Sequence, residues 1–161
     1  MKPLPGDGGA SFGMFQEVIE MHIPQEIRSL IESGITANYI TLNADGSPHV
    51  TCVWVGMDGD EIVTGHLIEN KKVKNVRRDP RVAISLQANT KSSYGLQEYA
   101  VLYGRAYIQE GGAPQVLQRL AGVYFGPGVK YPPMDNPPDG FVIRFRLDKV
   151  AGVGPWTGRP M

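Results

Sequence analysis

The sequence has few of the residues that several common kinds of site require. It contains one cysteine, Cys52, which excludes an internal disulfide and a cysteine-rich zinc site. The three histidines, His22, His49 and His66, are far apart, and none lies at ligand spacing from an acidic residue. No metal site is therefore predicted.

The motifs of hydrolases and of common nucleotide-binding proteins are also missing. The chain has no Gly-x-Ser-x-Gly turn for a serine nucleophile, and Cys52 stands in an apolar run that predicts a buried, inert thiol. It has neither a P-loop nor a Gly-x-Gly-x-x-Gly motif after a strand. These absences argue against an activated nucleophile and leave the catalytic residues unassigned.

Long apolar runs and a surplus of one charge are absent as well. No window approaches the roughly 18 apolar residues of a membrane span, and the first residues lack the apolar centre of a signal peptide. We therefore expect a cytoplasmic protein that does not bind membranes. The sixteen basic and sixteen acidic residues cancel, and this balance argues against a general nucleic-acid binder.

The chain does contain many turn residues between short apolar segments. Twenty glycines and thirteen prolines favour short strands over long helices. Residues 1–14 are rich in both and predict a flexible N-terminal arm. Residues 15–161 are expected to form a single domain, since their number fits one hydrophobic core.

Six segments are rich in β-branched and aromatic residues, and Asp-Gly pairs separate the first three, as in β-hairpins. These predicted strands are ANYITLN, PHVTCVWVGM, EIVTGHL, RVAISLQA, EYAVLYGRAYIQE and FVIRFRLDKVAGVG. The predicted helices are PQEIRSLIESG, a basic segment that ends at Asp79-Pro80, and GGAPQVLQRLAGVYFG with Val116, Leu120 and Val123 on its apolar side. The fold class is therefore mainly β (α+β), an antiparallel barrel or sheet with about three short flanking helices.

The second of these helices carries a dense positive charge. Six of the sixteen lysines and arginines lie between Asn70 and Arg81, against one acid, Asp79. With Val73 at the centre of the buried face, Lys72 falls on the flank, where its ammonium can reach a groove beside the sheet. The residues predicted to point outward are Lys71, Lys74, Asn75 and Arg78.

The strand before this helix ends in Thr64, Gly65 and His66. A hydroxyl, a backbone amide and an imidazole thus precede a helix N-terminus, whose free N–H groups and partial positive charge favour an anion. A phosphate site and a solvated surface remain the two interpretations of the basic segment at this point.

Three segments in order, ADGSPHVTCVWVGMDGDEIV, NKKVKNVRRDPRVAISL and VAGVGPW, resemble the split β-barrel superfamily of flavin and deazaflavin oxidoreductases. More narrowly, they are similar to pyridoxamine 5'-phosphate oxidase-like proteins that bind the deazaflavin coenzyme F420. The resemblance covers residues 24–156. It implies a six-stranded antiparallel split β-barrel and a homodimer with cofactor sites at the subunit interface.

The resemblance also implies which residues form the cofactor site. The ring would lie along the strand that holds Thr51, Val53 and Trp54. The phosphate would be surrounded by Thr64, His66, Lys71, Lys72 and Asn75. The partner chain would contribute Gln87, near the end of RVAISLQA, and Trp156 in the terminal segment. Two positions depart from the family pattern: Glu69-Asn70 replaces a common glycine-arginine pair, and Cys52 replaces a common proline.

The activity expected from the resemblance is hydride transfer from reduced F420 to an unsaturated small molecule, with FMN as the alternative cofactor. Such a cofactor carries the chemistry, so no dedicated catalytic side chain is required. Tyr124, Tyr131 and the loop 126–140 are expected to cover the substrate. A non-catalytic carrier of F420 or of another planar anion such as haem is a third interpretation. Nucleic-acid binding is a fourth, without support from net charge or from exposed aromatic residues.

Overall fold

A computed structural model describes residues 21–157 of the chain as seven strands and three α-helices. The predicted arm, residues 1–14, lies outside the described residues. The strands are β1 (Ala37–Leu42), β2 (Pro48–Val53), β3 (Gly56–Asp58), β4 (Glu61–His66), β5 (Arg81–Lys91), β6 (Gln97–Glu110) and β7 (Phe141–Val153). The helices are α1 (Gln25–Glu32), α2 (Lys71–Arg78) and α3 (Ala113–Tyr124), and a 3-10 turn follows at Pro155–Thr157.

All seven strands form one antiparallel sheet in the order β2-β1-β5-β6-β7-β4-β3. β2 and β3 are therefore at opposite edges, although only Trp54 and Val55 separate them in the sequence. Three peptide units span at most about 11 Å, so the sheet must curl until its two edges nearly meet. The result is a barrel that is split between β2 and β3, which confirms the mainly β class.

The strand count is seven, and the predicted six is wrong because PHVTCVWVGM is two strands. The chain bends at Val55, whose N–H donates to the Tyr124 hydroxyl at 3.1 Å. That hydroxyl donates in turn to the Ile35 carbonyl at 2.8 Å. A backbone group that bonds a side chain cannot join a strand ladder, so the ladder of β2 ends before Val55.

Both predicted Asp-Gly hairpins are present. In the β1–β2 turn, the Asn43 N–H donates to the Ser47 carbonyl at 2.8 Å, and Gly46 has a φ of +83°. In the β3–β4 turn, Gly59 has a φ of +60°. Glycine adopts positive φ without the steric cost that other residues incur, so these turns follow directly from the local sequence.

The core lies on the inner face of the curled sheet. Alternate residues of β5, namely Val82, Ile84 and Leu86, are buried there, as a half-buried strand requires. The predicted apolar face of α1 is also confirmed, since Ile27, Leu30 and Ile31 are buried. Burial of a side chain of this size contributes about 1.5–3 kcal/mol.

α3 packs closely on β3 and β4 because two glycines leave room for it. A Cβ atom at Gly56 would lie 2.5 Å from Leu120 Cδ2, and one at Gly65 would lie 3.0 Å from Leu117 Cγ. The buried residues of α3 are Ala113, Leu120 and Ala121. The prediction that Val123 belongs to this face is wrong, since Val123 is 48% exposed.

α2 is held against the sheet by apolar and polar contacts. Val73 and Val76 are buried, as predicted, whereas Asn75, predicted to point outward, is only 2% exposed. The Asn75 Nδ2 group donates to Thr41 Oγ1 at 3.0 Å and to Asn43 Oδ1 at 3.1 Å. These polar partners, Thr41 on β1 and Asn43 in the turn after it, satisfy the amide, and for this reason a residue on the expected outer side of the helix is buried.

Candidate functional site

A cavity of about 300 Å³ opens where the end of β2, the end of β4 and the start of α2 meet. Its lining residues are Thr36, Cys52, Val53, Trp54, Gly65, His66, Lys72, Leu117 and Tyr131. The sheet topology places β2 and β4 on opposite sides of the split, so the cavity lies over the open seam of the barrel. We call it the seam cavity. Four residues predicted from sequence, Val53, Trp54, His66 and Lys72, line it together.

Lys72 supplies the positive charge of this cavity. It lies on the flank of α2, as predicted, and is only 8% exposed. Within residues 21–157, no carboxylate lies within 4 Å of its ammonium and no hydrogen bond is formed to it. Burial therefore lowers the pKa of Lys72 below its ordinary value. The side chain of Lys72 is buried while its ammonium opens on the cavity, so an anion there would offset the cost of the partial desolvation of this charge.

His66 is held in one tautomer by its neighbours. Asn70 Oδ1 accepts from the Val73 N–H at 3.1 Å, which leaves the Asn70 Nδ2 group to donate to His66 Nδ1 at 3.3 Å. His66 Nε2 therefore carries the hydrogen and donates to Thr64 Oγ1 at 2.8 Å. Thr64 is 1% exposed, and its own hydroxyl hydrogen stays available for another acceptor.

The imidazole of His66 is neutral at pH 7. Burial, and secondarily the charge of Lys72, lower the pKa of His66 to about 4. The inner part of the cavity thus presents one formal positive charge beside a neutral ring and the N-terminal turn of α2. This combination is suited to a singly charged anion.

β2 forms the opposite wall of the cavity, and its inner face carries an unsatisfied hydroxyl. Thr51 Oγ1 is buried and has no hydrogen-bond partner among residues 21–157, and the same is true of the Tyr39 hydroxyl directly across the β1–β2 ladder. Burial raises the pKa of Tyr39 well above its ordinary range. Because Thr51 Oγ1 is enclosed, only the backbone of Thr51 is available to a ligand in the cavity.

Aromatic side chains close the end of the cavity nearest the barrel split. The rings of Trp54 and Tyr124 stack with centroids 5.1 Å apart and planes inclined by 12°. Phe125 meets Trp54 edge-on at 4.8 Å, and Tyr131 lies 5.1 Å from it. A planar ligand that enters the cavity would find a preformed aromatic wall.

The remaining predicted site residues lie outside the lining. Lys71 is exposed at the first position of α2, and Asn75 lies behind the site, where it anchors the helix. Gln87 is exposed on the outer face of β5. The Trp156 indole N–H donates to the Tyr99 carbonyl at 3.0 Å, so Trp156 fastens the terminal segment to β6 of its own chain.

Cys52 does not occupy the buried position predicted for it. It is exposed at the edge strand β2, and its thiol donates to Asn38 Oδ1 at 3.3 Å across the β1–β2 ladder. β2 buries Val53 and Thr51 on one face and turns Cys52 and Val50 outward. Apolar neighbours in the sequence therefore indicated burial, whereas the position of β2 at the sheet edge leaves its outer face open.

Sequence analysis missed His49 and Leu117. His49 lies on the same side of β2 as Thr51 and Val53, and burial together with the charges of Lys71 and Lys72 lowers its pKa. The two-residue period of a strand is the signal that could have identified His49. Leu117 lines the cavity from α3, a contact that no local sequence pattern indicates.

A curled antiparallel sheet that is open at a seam defines the class of split β-barrel proteins. The chain matches the model of the pyridoxamine 5'-phosphate oxidase family over residues 23–154 and belongs to that family. The expected relation to flavin and deazaflavin oxidoreductases is therefore confirmed at the level of the superfamily.

Solved structures show the same fold at low sequence identity. An F420 reductase superposes with a TM-score of 0.64 at 23% identity, over 80% of this chain and 98% of its own. A conserved hypothetical protein from Mycobacterium tuberculosis gives 0.67 at 24% identity, over 89% and 92%. An FMN-binding protein from Syntrophomonas wolfei gives 0.57 at 17% identity, over 79% and 83%. No match was found among curated proteins.

Two kinds of structure are absent from the described part of the chain. None of the helices within residues 21–157 has the length and apolarity needed to cross a membrane. The same residues contain no cluster of three or more His, Cys, Asp or Glu side chains that could hold a metal ion.

Proposed function

We propose that the protein is an oxidoreductase that binds reduced coenzyme F420 in the seam cavity and transfers a hydride to an unsaturated small molecule. The observation that carries the proposal is Lys72, whose buried side chain ends in an ammonium that opens on a cavity with an aromatic wall and has no partner within residues 21–157. Family membership supports a flavin or deazaflavin type of chemistry.

In this proposal the bound deazaflavin supplies the hydride, and the residues of the chain bind and orient it. Lys72 holds the phosphate, and Thr64, which is buried behind the lining, accepts from His66 Nε2 and keeps the His66 ring in place beside it. The backbone from Thr51 to Val53 supports the ring. Trp54 and Tyr131 exclude water from the far end of the cavity, where the substrate would lie.

Charge favours F420 over FMN. The phosphate of F420 is a diester with one negative charge, whereas a phosphate monoester such as that of FMN carries about −1.5 to −2 at pH 7. The cavity offers one buried cation, Lys72, because His66 is neutral there and the common arginine is replaced by Asn70. A monoanion matches this charge, while a dianion would leave excess negative charge in a partly buried site. FMN remains the alternative, since a structural relative binds it.

The outer face of the sheet supports a homodimer. Val50, Ile40, Ala83 and Tyr103 lie directly opposite one another across β2, β1, β5 and β6. Val50 is 57% exposed and Tyr103 is 46% exposed. Such an apolar row is typical of a surface that a partner covers.

Of the two predicted partner residues, Gln87 lies on the same face as this row, where it pairs with Tyr99 in the β5–β6 ladder. Trp156 instead packs against the core and donates its indole hydrogen to the Tyr99 carbonyl. Cys52 is exposed on the outer face of β2 and also lines the cavity. A second copy on this face would therefore bring its Gln87 towards the cofactor.

Titration of the purified protein with F420 and with FMN tests the proposal. We expect F420 to bind in the micromolar range or tighter, more tightly than FMN, and Lys72→Ala to weaken binding by about tenfold or more. Lys74→Ala, which removes an exposed cation from the same helix, serves as the matched control. Tight FMN binding without F420 binding would overturn the choice of cofactor.

Cys52 offers a second readout that does not depend on turnover. It is the single cysteine of the chain and lines the cavity, so bound cofactor should slow its alkylation by N-ethylmaleimide. Reoxidation of reduced F420 by a panel of quinones and enones then separates an enzyme from a carrier. Tight binding with no reoxidation across the panel would favour the carrier.

A further inference from the structure

A second cavity, of about 510 Å³, lies between α3 and the loop 126–140. Its lining residues are Pro114, Gln115, Gln118, Arg119, Lys130, Tyr131, Pro132, Met134 and Pro137. We call it the α3 cavity. Tyr131 belongs to the linings of both cavities, so the α3 cavity adjoins the seam cavity across one side chain.

The α3 cavity is preformed because Gln118 fastens the loop to the helix. Gln118 Oε1 accepts from the Tyr131 N–H at 2.9 Å, and its Nε2 group donates to the Val129 carbonyl at 2.7 Å. Pro132, the next residue of the loop, is buried. A glutamine that satisfies two backbone groups holds the loop at a defined distance from the helix, so the space between them is a built feature.

The lining chemistry is that of a site for an apolar anion. Three prolines, Met134 and Tyr131 provide apolar surface, and no acidic residue is part of the lining. Of the two cations, Lys130 pairs with Asp135 at 3.1 Å. Arg119 forms no ion pair within 4 Å and no hydrogen bond to any residue in the range 21–157. Its guanidinium lies beside Gly56, and its charge adds to that of Arg144 in lowering the pKa of Asp58. Because no bond fixes it there, the guanidinium can turn to a carboxylate in the α3 cavity.

We propose that the α3 cavity binds an organic acid with a compact apolar body and one carboxylate, which Arg119 holds. The volume suits such a ligand, since sites for small molecules occupy roughly 300–1,000 Å³. The apolar body would rest on the prolines and on the Tyr131 ring. This site is separate from the cofactor site and does not depend on which cofactor the seam cavity binds.

A ligand in the α3 cavity should alter the seam cavity through Tyr131, which lines both. The Tyr131 ring lies 5.1 Å from Trp54, which lines the seam cavity. A ligand that shifts Tyr131 changes the environment of the Trp54 indole, and any coupling to cofactor affinity must be reciprocal.

Calorimetric titration with adamantane-1-carboxylate tests the inference, with adamantane-1-methanol as the uncharged analogue. We expect saturable binding of one carboxylate per chain, a change in tryptophan fluorescence, and weaker binding of the alcohol. Arg119→Gln should weaken carboxylate binding by about tenfold and remove the preference over the alcohol. Arg105→Gln, at an exposed position on β6 outside both cavities, should change nothing.

Three results would overturn the inference. They are no binding at millimolar carboxylate, equal binding of the acid and the alcohol, and loss of binding in Lys72→Met instead of Arg119→Gln. The last would place the acid in the seam cavity. F420 titration of the same preparations keeps the two proposals distinct, because the α3 cavity can bind the acid whether or not F420 binds.

Discussion

Lys72 shows how a single residue can be unfavourable for stability and favourable for binding. Its side chain is buried, and its ammonium opens on the cavity without a partner among residues 21–157. We predict that Lys72→Met stabilises the cofactor-free protein by about 1 kcal/mol, because a partly desolvated charge is replaced by an apolar chain of similar length. Urea denaturation measures this change, and F420 affinity should fall at least tenfold in the same variant. Lys74→Met should alter neither quantity, and a less stable Lys72→Met would contradict the prediction.

His66 determines a pH dependence of stability at the same scale. The pKa of His66 is about 4 in the folded chain, against 6.5 for a solvated histidine, so the unfolded chain takes up the proton first as the pH falls. The stabilisation that comes from keeping His66 neutral is complete above pH 6.5 and is lost as the pH falls towards 4. Between pH 7 and pH 4.5 the wild type should lose about 2.5 kcal/mol more than His66→Gln. Urea denaturation at both pH values measures this, with His22→Gln as an exposed control; equal losses in all three proteins would refute it.

At the scale of elements, the cavity depends on how closely α3 approaches β4. A Cβ atom at Gly65 would lie 3.0 Å from Leu117 Cγ and 3.2 Å from the Ala113 carbonyl oxygen. We predict that Gly65→Ala costs about 1–3 kcal/mol through overpacking. The matched control is Gly122→Ala, at an exposed helix position where the added methyl group meets nothing within 4 Å. That change should stabilise by about 0.5–1 kcal/mol through helix propensity. Chemical denaturation measures the free energy of unfolding of both variants. Equal effects of the two changes would contradict the close packing of α3 on β4.

At the scale of the whole molecule, the outer face of the sheet is the proposed surface of dimer assembly. We predict a dimer in solution that Val50→Glu converts to a folded monomer, because a charge would be buried at one end of the apolar row. Val123→Glu, at a position that is 48% exposed on α3 and away from this row, should remain dimeric. Sedimentation equilibrium measures both. A wild-type monomer would contradict the prediction, and a monomeric variant should also bind F420 more weakly because the partner's contribution is lost.

Local patterns determined a large part of this protein without reference to its tertiary structure. The two Asp-Gly turns, the strand alternation and the end of α2 at Asp79-Pro80 follow from backbone preferences of neighbouring residues, so they could be predicted. Lys72, His66 and Thr64 could be singled out for a similar reason, because charge density and a strand end lie side by side in the sequence.

Tertiary structure alone decided the features that depend on distant residues. The break between β2 and β3 arises from the hydroxyl of Tyr124, and the burial of Asn75 arises from Thr41 and Asn43. Cys52 is exposed because β2 is a sheet edge, and Leu117 reaches the cavity because Gly65 lacks a side chain. Packing between segments far apart in the chain leaves no pattern in the local sequence. For that reason the sequence by itself determined the helices, strands and turns, whereas the curled sheet decided which side chains meet.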